Sequence, residues 1–320
     1  MEALVLKSTG SWYRLQFTDG TQADARLRGA LRLAGSRATN PVAVGDRVEA
    51  EPESEGRWAI SVVHERRNHL VRKSVNLSRK SQVIAANIDQ AVLIATVAEP
   101  VTLYGFMDRF LATAEAYRIP AVIAFNKVDA LDADGEAELV YREAAYGQAG
   151  YPTLRVSAET GEGLDALREV LRGKVSLFSG HSGVGKSSLA NRLQPGLDLR
   201  TGAISSAHGQ GQHTTTFAEM HPLNFGGFLI DTPGIRGFGL VDMEREEISH
   251  YVPEVFALSP QCRFANCLHA DEPGCAVREA YEGNQLAPTR YESYLSMLAG
   301  DDEEDPYRHG AYKDLKGRTR

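Results

Sequence analysis

The segment VSLFSGHSGVGKSSLANRL at residues 175–193 decides the fold of the central part of the chain. Its middle, Gly180 to Ser187, matches the pattern G-x-x-x-x-G-K-[ST]. An apolar run precedes this pattern and a helix-like stretch follows it. In such a strand–loop–helix context, the glycines let backbone N–H groups surround phosphate oxygens, and the helix N-terminus adds positive potential. The segment therefore predicts a nucleotide site. The alternative is a chance glycine-rich turn, but such a turn would not need a strand before it and a helix after it.

The chemistry of the loop assigns roles to two of its side chains. Lys186 is expected to contact the β and γ phosphates, and Ser187 to supply a hydroxyl to Mg²⁺. We expect the whole loop to bind nucleotide, through Gly180, His181, Ser182, Gly183, Val184, Gly185, Lys186, Ser187 and Ser188.

Two further motifs lie upstream and indicate guanine. Asn126-Lys127-Val128-Asp129 follows the apolar run AVIAF and resembles the NKxD motif of GTPases. An aspartate can accept hydrogen bonds from both N1–H and N2–H₂ of guanine, and adenine offers no matching donors. Ser157-Ala158 follows the run TLRV and resembles the SA loop, whose backbone N–H reads guanine O6. NKxD alone could be structural, but together with the other two motifs it predicts guanine recognition.

The order of the motifs is unusual. Asp231-Thr232-Pro233-Gly234 resembles the DxxG switch, with Asp231 near Mg²⁺ and the Gly234 N–H sensing the γ-phosphate. The usual GTPase order places the phosphate loop and DxxG before NKxD and SA, whereas here they follow. We therefore predict a circularly permuted GTPase domain, in which whatever follows residue 240 is coupled to the nucleotide state.

The segment GQGQHTTT at residues 209–216 lies where switch I is expected. We expect Thr215, with Thr214 as the next choice, to reach Mg²⁺ and the γ-phosphate. The residue after DxxG is Ile235, and a hydrocarbon side chain cannot orient water as the Gln of many GTPases does. His213 is the candidate for that task, although it could instead be a loop histidine without catalytic duty. We expect Lys186, His213 and Thr215 to act in hydrolysis, and isolated turnover to be slow until a partner orders switch I.

The flanking regions predict a multidomain protein. Residues 1–65 contain five short strand-like segments separated by turns, typical of an all-β OB-fold barrel. Apolar runs then alternate with helical stretches, which predicts a parallel sheet in an α/β domain. We expect an OB-fold RNA-binding domain at 1–68, a GTPase domain at 69–240 with a linker at 69–80, a mainly α zinc-binding domain at 241–300, and a charged tail at 301–320.

All three cysteines of the chain fall within 14 residues. Cys262, Cys267 and Cys275, with His269, form the Cys₃His set of a closed structural zinc site. Soft thiolates favour zinc over magnesium, and the set leaves no open position for catalysis. Three unconnected reduced cysteines and an unrelated histidine are the alternative.

The charge is unevenly distributed. The net charge is −7, yet residues 57–80 hold seven Lys and Arg against one Glu. Such a patch suits a polyanion, although each residue alone could be a solvated charge or part of a packed linker. The candidates for RNA contact are Arg66, Arg67, Arg72, Lys73, Arg79 and Lys80. Because the sequence contains neither a long apolar window nor a signal peptide, we expect a cytoplasmic protein without a membrane partner. We also expect a monomer.

These motifs together resemble the ribosome small subunit-dependent GTPase A family (RsgA, also called YjeQ). The resemblance covers almost the whole chain, including PVAVGDRV, RRNHLVRKS, QVIAANIDQ, GHSGVGKSSL and GQGQHTTT. It implies a GTP hydrolase with Mg²⁺ and structural zinc that acts in late maturation of the small (30S) ribosomal subunit and contacts its rRNA. It also implies that the subunit stimulates hydrolysis and that hydrolysis releases the protein. It further implies the catalytic role of His213 and the four zinc ligands.

Two other functions compete with this interpretation. One is an RNA-binding regulatory module that uses GTP occupancy as a slow switch, which Ile235 favours and His213 disfavours. The other is a P-loop kinase or ATPase, which Asn126 and Asp129 disfavour.

Overall fold

The structure is a computed structural model of the chain and describes residues 1–28, 41–53, 56–73, 81–197, 199, 218–231 and 243–300. Several predicted features lie outside the described residues, namely His213, Thr214, Thr215, Gly234, Ile235, Arg79, Lys80 and the tail at 301–320. The side chains of Arg72 and Lys73 also lie outside that description.

The first five strands form a small barrel, and this confirms the predicted OB-like domain. They are β1 Glu2–Ser8, β2 Tyr13–Phe17, β3 Gln22–Leu27, β4 Arg47–Pro52 and β5 Trp58–Val63. β1 pairs with β2 and β4, β2 with β3, and β5 with β3 and β4, so the sheet closes on itself. Val5, Leu15 and Ile60 are completely buried inside. Along β2 and β4, buried residues alternate with exposed or half-buried ones, as in strands with one face on a core.

A parallel sheet forms the centre of the molecule. Its strands are β8 Gln90–Ala95, β9 Ala121–Phe125, β10 Thr153–Arg155, β11 Val175–Ser179 and β13 Phe228–Asp231, in the spatial order β10-β9-β8-β11-β13. The helices that cover it are α1 Tyr104–Ala116, α2 Ala133–Gln148, α3 Leu164–Leu171 and α4 Lys186–Leu193. Leu93 packs in the core with α1 and α2, whereas Val92 and Ile94 pack with α3 and α4. Because both faces are covered, the strands are continuous apolar runs.

Three strands were not predicted. β12 Glu219–Pro222 lies between β13 and β1 and pairs antiparallel with both, so barrel and central sheet share one 11-stranded sheet. Lys7 of β1 donates from Nζ to Oε2 of Glu219 at 2.6 Å across this junction. β6 His69–Lys73 and β7 Ser81–Ala86 form a separate antiparallel pair, in which β6 lies in the linker predicted at 69–80 and β7 directly follows it. The sequence patterns of β12 and β6 are weak predictors of strands. β12 is short and polar, and β6 is part of the basic run.

The C-terminal module is mainly helical, as predicted. It contains 3₁₀ helices at Arg245–Tyr251 and Ser259–Gln261, and α5 Pro253–Leu258, α6 Ala276–Glu282 and α7 Pro288–Ala299. Its core includes Ala112 of α1, so it packs directly on the central domain. None of the helices in the described part of the chain is long and apolar enough to cross a membrane.

A buried ionic cluster joins this module to α1. Arg290 of α7 donates from Nη1 to Oδ1 of Asp108 at 2.5 Å and from Nε to Oε1 of Glu254 at 2.6 Å. Arg290 and Asp108 are 3 % and 1 % exposed. Burial raises the pKa of Asp108, and the Arg290 guanidinium opposes this shift only in part. A charge buried this deeply needs its partner, so the cluster fixes how α7 seats on α1.

Candidate functional site

Four loops that carry the predicted motifs leave the same edge of the central sheet. Asn126 follows β9, Ser157 lies just after β10, Gly180 follows β11, and Asp231 ends β13. Parallel strands bring their carboxyl ends together, and open α/β sheets bind ligands in the crevice outside those ends. Motifs that are distant and permuted in the sequence therefore meet at one edge of the sheet.

The phosphate loop needs glycine at two positions because neighbouring segments lie against it. A Cβ on Gly180 would lie 2.3 Å from the carbonyl oxygen of Ile94, and a Cβ on Gly185 would lie 2.3 Å from Nδ2 of Asn126. Gly185 also has a φ of 93°, in the left-handed region that favours glycine. The glycine spacing of the motif therefore serves close packing as well as phosphate access.

Lys186 is the first residue of α4, and its side chain folds back onto the loop. Its Nζ donates to the carbonyl oxygens of Gly180 at 2.7 Å and His181 at 2.8 Å. Burial lowers the pKa of Lys186, and the carboxylate of Asp231 opposes that shift. Beside the N-terminus of α4, such an ammonium can stabilise phosphate oxygens once it leaves the two carbonyls. Ser187 and Ser188 follow it in the first turn and are half-buried.

Asn126 physically joins three of the motifs. It is 3 % exposed. Its Nδ2 donates to the carbonyl oxygen of Val184 in the phosphate loop at 2.8 Å, and its Oδ1 accepts from the backbone N–H of Ala158 at 3.1 Å. Both ends of this buried amide are satisfied, so it fixes the spacing between the phosphate and base-recognition loops.

The base-recognition loops present their recognition groups at the surface. Asp129 is exposed in a 3₁₀ helix at Val128–Ala130, and nothing buries its carboxylate. The Ser157 Oγ accepts from the backbone N–H groups of Glu159 and Thr160, which fixes the turn after Ala158. This geometry leaves the Asp129 carboxylate available to a planar ligand with two adjacent N–H donors.

Arg192 is a contributor that the motifs did not indicate. It lies on α4, and its Nε donates to the carbonyl oxygen of Ala158 at 3.1 Å while its Nη2 donates to that of Glu159 at 3.3 Å. The helix after the phosphate loop is thereby tied to the base-recognition loop. An arginine seven residues after Gly185 has no motif signal, and only the three-dimensional contact shows its role.

The mouth of the phosphate loop is formed by Ser182 and Gly183, which are exposed. His181 differs from its neighbours because its ring is buried, 8 % exposed, with its edge toward the ring of Phe106 of α1. The His181 side chain therefore packs into the domain, and its backbone lines the loop.

The four predicted metal ligands come together. The ligand atoms of Cys262, Cys267, His269 and Cys275 all lie within 4.8 Å of one another. His269 Nδ1 lies 3.4 Å from Sγ of Cys262 and 3.6 Å from Sγ of Cys275. Three thiol groups around one imidazole nitrogen form a donor set of the kind that binds zinc tetrahedrally.

The second nitrogen of His269 supports this assignment. Ser259 donates from its hydroxyl to the carbonyl oxygen of Val255 at 2.8 Å, so its oxygen is left to accept from Nε2 of His269 at 3.0 Å. The proton therefore lies on Nε2, and Nδ1 offers its lone pair to the space between the sulfurs. A hydrogen bond that fixes the ligand tautomer is usual for metal-bound histidine, and the residues present fit zinc.

Part of the basic run forms ion pairs within the protein, although its charge indicates an exposed surface. Arg66 donates from Nε to Oδ1 of Asp46 and from Nη2 to Oδ2, both at 2.7 Å, and Asp46 is completely buried. Arg67 also pairs with Asp89, at 2.6 Å, but its side chain stays 60 % exposed. Of these two candidates for RNA contact, Arg66 holds the barrel to the following segment and Arg67 remains accessible.

Two family models match the chain. One, described as RsgA GTPase, matches residues 63–241, more than half of the chain. The other, described as RsgA N-terminal domain, matches residues 2–60. Their boundary falls where β5 ends.

Similar proteins cover nearly the full length. The small ribosomal subunit biogenesis GTPase RsgA of Bacteroides fragilis is 54 % identical over 311 residues, 96 % of this chain and 99 % of the relative. The protein of that name from Porphyromonas gingivalis is 53 % identical over 313 residues, with the same two coverages. The crystal structure of YjeQ from Thermotoga maritima has a TM-score of 0.78 at 36 % identity, covering 93 % of this chain and 97 % of that one. YloQ, described as a circularly permuted GTPase, has a TM-score of 0.73 at 26 % identity and covers 96 % of each chain.

Proposed function

The chain belongs to the RsgA GTPase family and is a GTP hydrolase, and from this premise we propose that it acts in late maturation of the small ribosomal subunit. The observation that carries the proposal is the match over 96 % of the chain to relatives named small ribosomal subunit biogenesis GTPases. In this function GTP favours the subunit-bound state, the subunit stimulates hydrolysis, and hydrolysis releases the protein.

For the nucleotide, we propose that the phosphate loop from Gly180 to Ser188 binds the phosphates and that Lys127, Asp129 and the SA loop at Ser157-Ala158 contact guanine. Mg²⁺, when bound with GTP, neutralises charge on the phosphates, and Ser187 and Thr215 would hold it, with Asp231 nearby. The geometry of the described residues supports this, because Asn126 ties the phosphate loop to both base-recognition loops.

For the partner, we propose that the barrel and the exposed part of the basic run contact rRNA in the cytoplasm, with the protein acting as a monomer. The five-stranded barrel and the exposed guanidinium of Arg67 support this contact. Arg72, Lys73, Arg79 and Lys80 remain candidates from the sequence.

For the metal, we propose one structural Zn²⁺ held by Cys262, Cys267, His269 and Cys275. The ion would supply cross-links within the C-terminal module. Tyr291 and Tyr294 add support by donating from their hydroxyls to the backbone carbonyls of His269 and Leu268 at 2.8 and 2.7 Å.

Removing zinc is expected to unfold the C-terminal module. A strong chelator should abolish its helical signal, and added Zn²⁺ but not Mg²⁺ should restore it, because structural zinc binding is coupled to folding. Ser259→Ala should weaken zinc binding by about 10- to 100-fold in a chelator competition, since it frees His269 Nε2. Ser61→Ala is the matched control, because that hydroxyl also bonds a backbone carbonyl but lies in the barrel. Unchanged helical content after complete zinc removal would contradict the structural role.

The proposed partner is tested by GTP turnover measured for the purified protein alone, with small ribosomal subunits, and with large subunits. We expect slow turnover alone and a rise of at least about tenfold with small subunits, because a partner must order the catalytic groups. Large subunits should leave the rate unchanged. If the protein binds GTP tightly but small subunits do not raise its turnover, the result would instead favour the slow occupancy switch. Ile235 favours that alternative, because its hydrocarbon side chain cannot orient water.

A further inference from the structure

The seven residues from Thr96 to Thr102, here called the 96–102 loop, belong to none of the GTPase motifs yet contact two of them. The loop connects β8 to α1 and is closed by a hydrogen bond from the Thr102 N–H to the Thr96 carbonyl oxygen at 2.8 Å. The carbonyl oxygen of Glu99 accepts from Nζ of Lys127 at 2.7 Å. The ring of Pro100 lies 3.2 Å from where a Cβ on Gly183 would be. The loop therefore borders both the base-recognition and the phosphate loops.

The central contact is between Thr102 and His181. The Ser182 carbonyl oxygen, which can only accept, lies 3.0 Å from His181 Nδ1, so Nδ1 carries the proton. Nε2 then has a lone pair, and it lies 2.7 Å from Oγ1 of Thr102, which must donate to it. The same Oγ1 accepts from the Thr96 N–H at 2.9 Å. Thr102 is completely buried, so its hydroxyl satisfies two groups that have no access to water.

Thr102 is itself held in place from α2. Nη1 of Arg142 donates to the Thr102 carbonyl oxygen at 2.7 Å, and Arg142 is 3 % exposed. Nε of Arg142 donates to Oε1 of Glu138, which also accepts from the hydroxyl of Tyr104. The threonine is thus fixed by buried bonds on a rigid part of the domain, which is what a support for a glycine-rich loop requires.

From these contacts we infer that Thr102 is a positioning residue for nucleotide binding, which sets the shape of the phosphate loop by anchoring the His181 ring. The connection to the chemistry is short, because the carbonyl oxygen of His181 is one of the two that hold Nζ of Lys186. A loop anchored in this way is preorganised for phosphate, so less of the binding free energy is lost in ordering it. The inference rests on the nucleotide-binding role proposed for this loop.

The experiment measures GDP and GTP affinity of the full-length zinc-loaded protein with a fluorescent nucleotide. Thr102→Val keeps the side-chain volume and removes the hydroxyl, and we expect both affinities to fall by about tenfold, the cost of stranding buried polar groups. Thr102→Ser restores the hydroxyl and should return both to within about twofold. Thr113→Val is the matched control, because Thr113 is likewise buried, but it lies within α1 and its hydroxyl donates to the Arg109 carbonyl of the same helix. It should lower thermal stability without changing affinity.

A second variant, His181→Phe, tests the same contact if Thr102→Val fails to fold. His181→Phe keeps a ring beside Phe106 but cannot bond Thr102, and it should lose affinity as Thr102→Val does. If the pair acts as a unit, the double variant should be no worse than either single one. Unchanged affinity in a folded Thr102→Val protein, a loss of equal size in Thr113→Val, or losses that multiply in the double variant would each overturn the inference. Failure of the unsubstituted protein to bind GDP would instead contradict the proposed function.

Discussion

Replacing Asp129 with asparagine is expected to change which nucleotide the protein binds. The carboxylate can accept from N1–H and N2–H₂ of guanine, whereas asparagine offers one acceptor and one donor. Its amide N–H₂ would then face a donor of guanine, and GTP affinity should fall on the order of 10³-fold, the combined loss of two charge-assisted hydrogen bonds. Xanthine carries an oxygen where guanine carries N2–H₂, so the variant should bind xanthosine nucleotides better than the original protein does. Competition among GTP, XTP and ATP for a fluorescent nucleotide measures all three affinities.

Asp132→Asn is the matched control for this test. Asp132 lies three residues further on and accepts from the backbone N–H of Gly135 at 2.8 Å as the N-cap of α2. Asparagine caps helices about as well as aspartate, so this change removes the same charge without disturbing the fold. It should leave the order of the three affinities unchanged. Normal GTP affinity in Asp129→Asn would contradict the assignment of guanine reading to this carboxylate.

The parts of the fold that sequence could predict are those with a strong local pattern. The apolar runs that precede the NKxD motif and the phosphate loop form β9 Ala121–Phe125 and β11 Val175–Ser179, because each is a buried run with clear end signals. β12 was missed because Glu219–Pro222 has only four residues and no apolar alternation. All four of its residues pair with β13, and Glu219 also pairs with β1, which lies more than 200 residues earlier in the chain.

The same distinction applies to the site. Asn126, Lys186 and Cys275 belong to spaced motifs whose chemistry dictates the residue types, so the sequence alone could indicate them. Thr102 and Ser259 instead contact motif histidines from other segments. Thr102 lies 79 positions from His181, and Ser259 lies 10 positions from His269. A single threonine or serine has no pattern, and supporting residues of this kind become visible only when the chain is folded.

Replacing His213 with alanine is expected to separate hydrolysis from binding. Because Ile235 cannot orient a water molecule, turnover in the presence of small subunits should depend on another polar group, and we predict that this group is His213. Its loss should lower subunit-stimulated turnover by roughly 10²- to 10³-fold, the range for a group that positions or deprotonates the attacking water. GTP affinity should change by less than about twofold, since the phosphate loop and Asp129 supply the binding.

The control for this change is His221→Ala, which removes a half-buried histidine from β12, eight residues further along the chain. It should keep both binding and stimulated turnover, because it lies on the strand that joins the central sheet to the barrel and belongs to none of the motifs. If stimulated turnover survives in His213→Ala, the histidine is not the catalytic group, and the water must be oriented by the ribosomal partner or by another side chain. If GTP affinity and turnover fall together, His213 acts in ordering the nucleotide and not in the chemical step, because only a loss confined to turnover identifies an interaction made in the transition state.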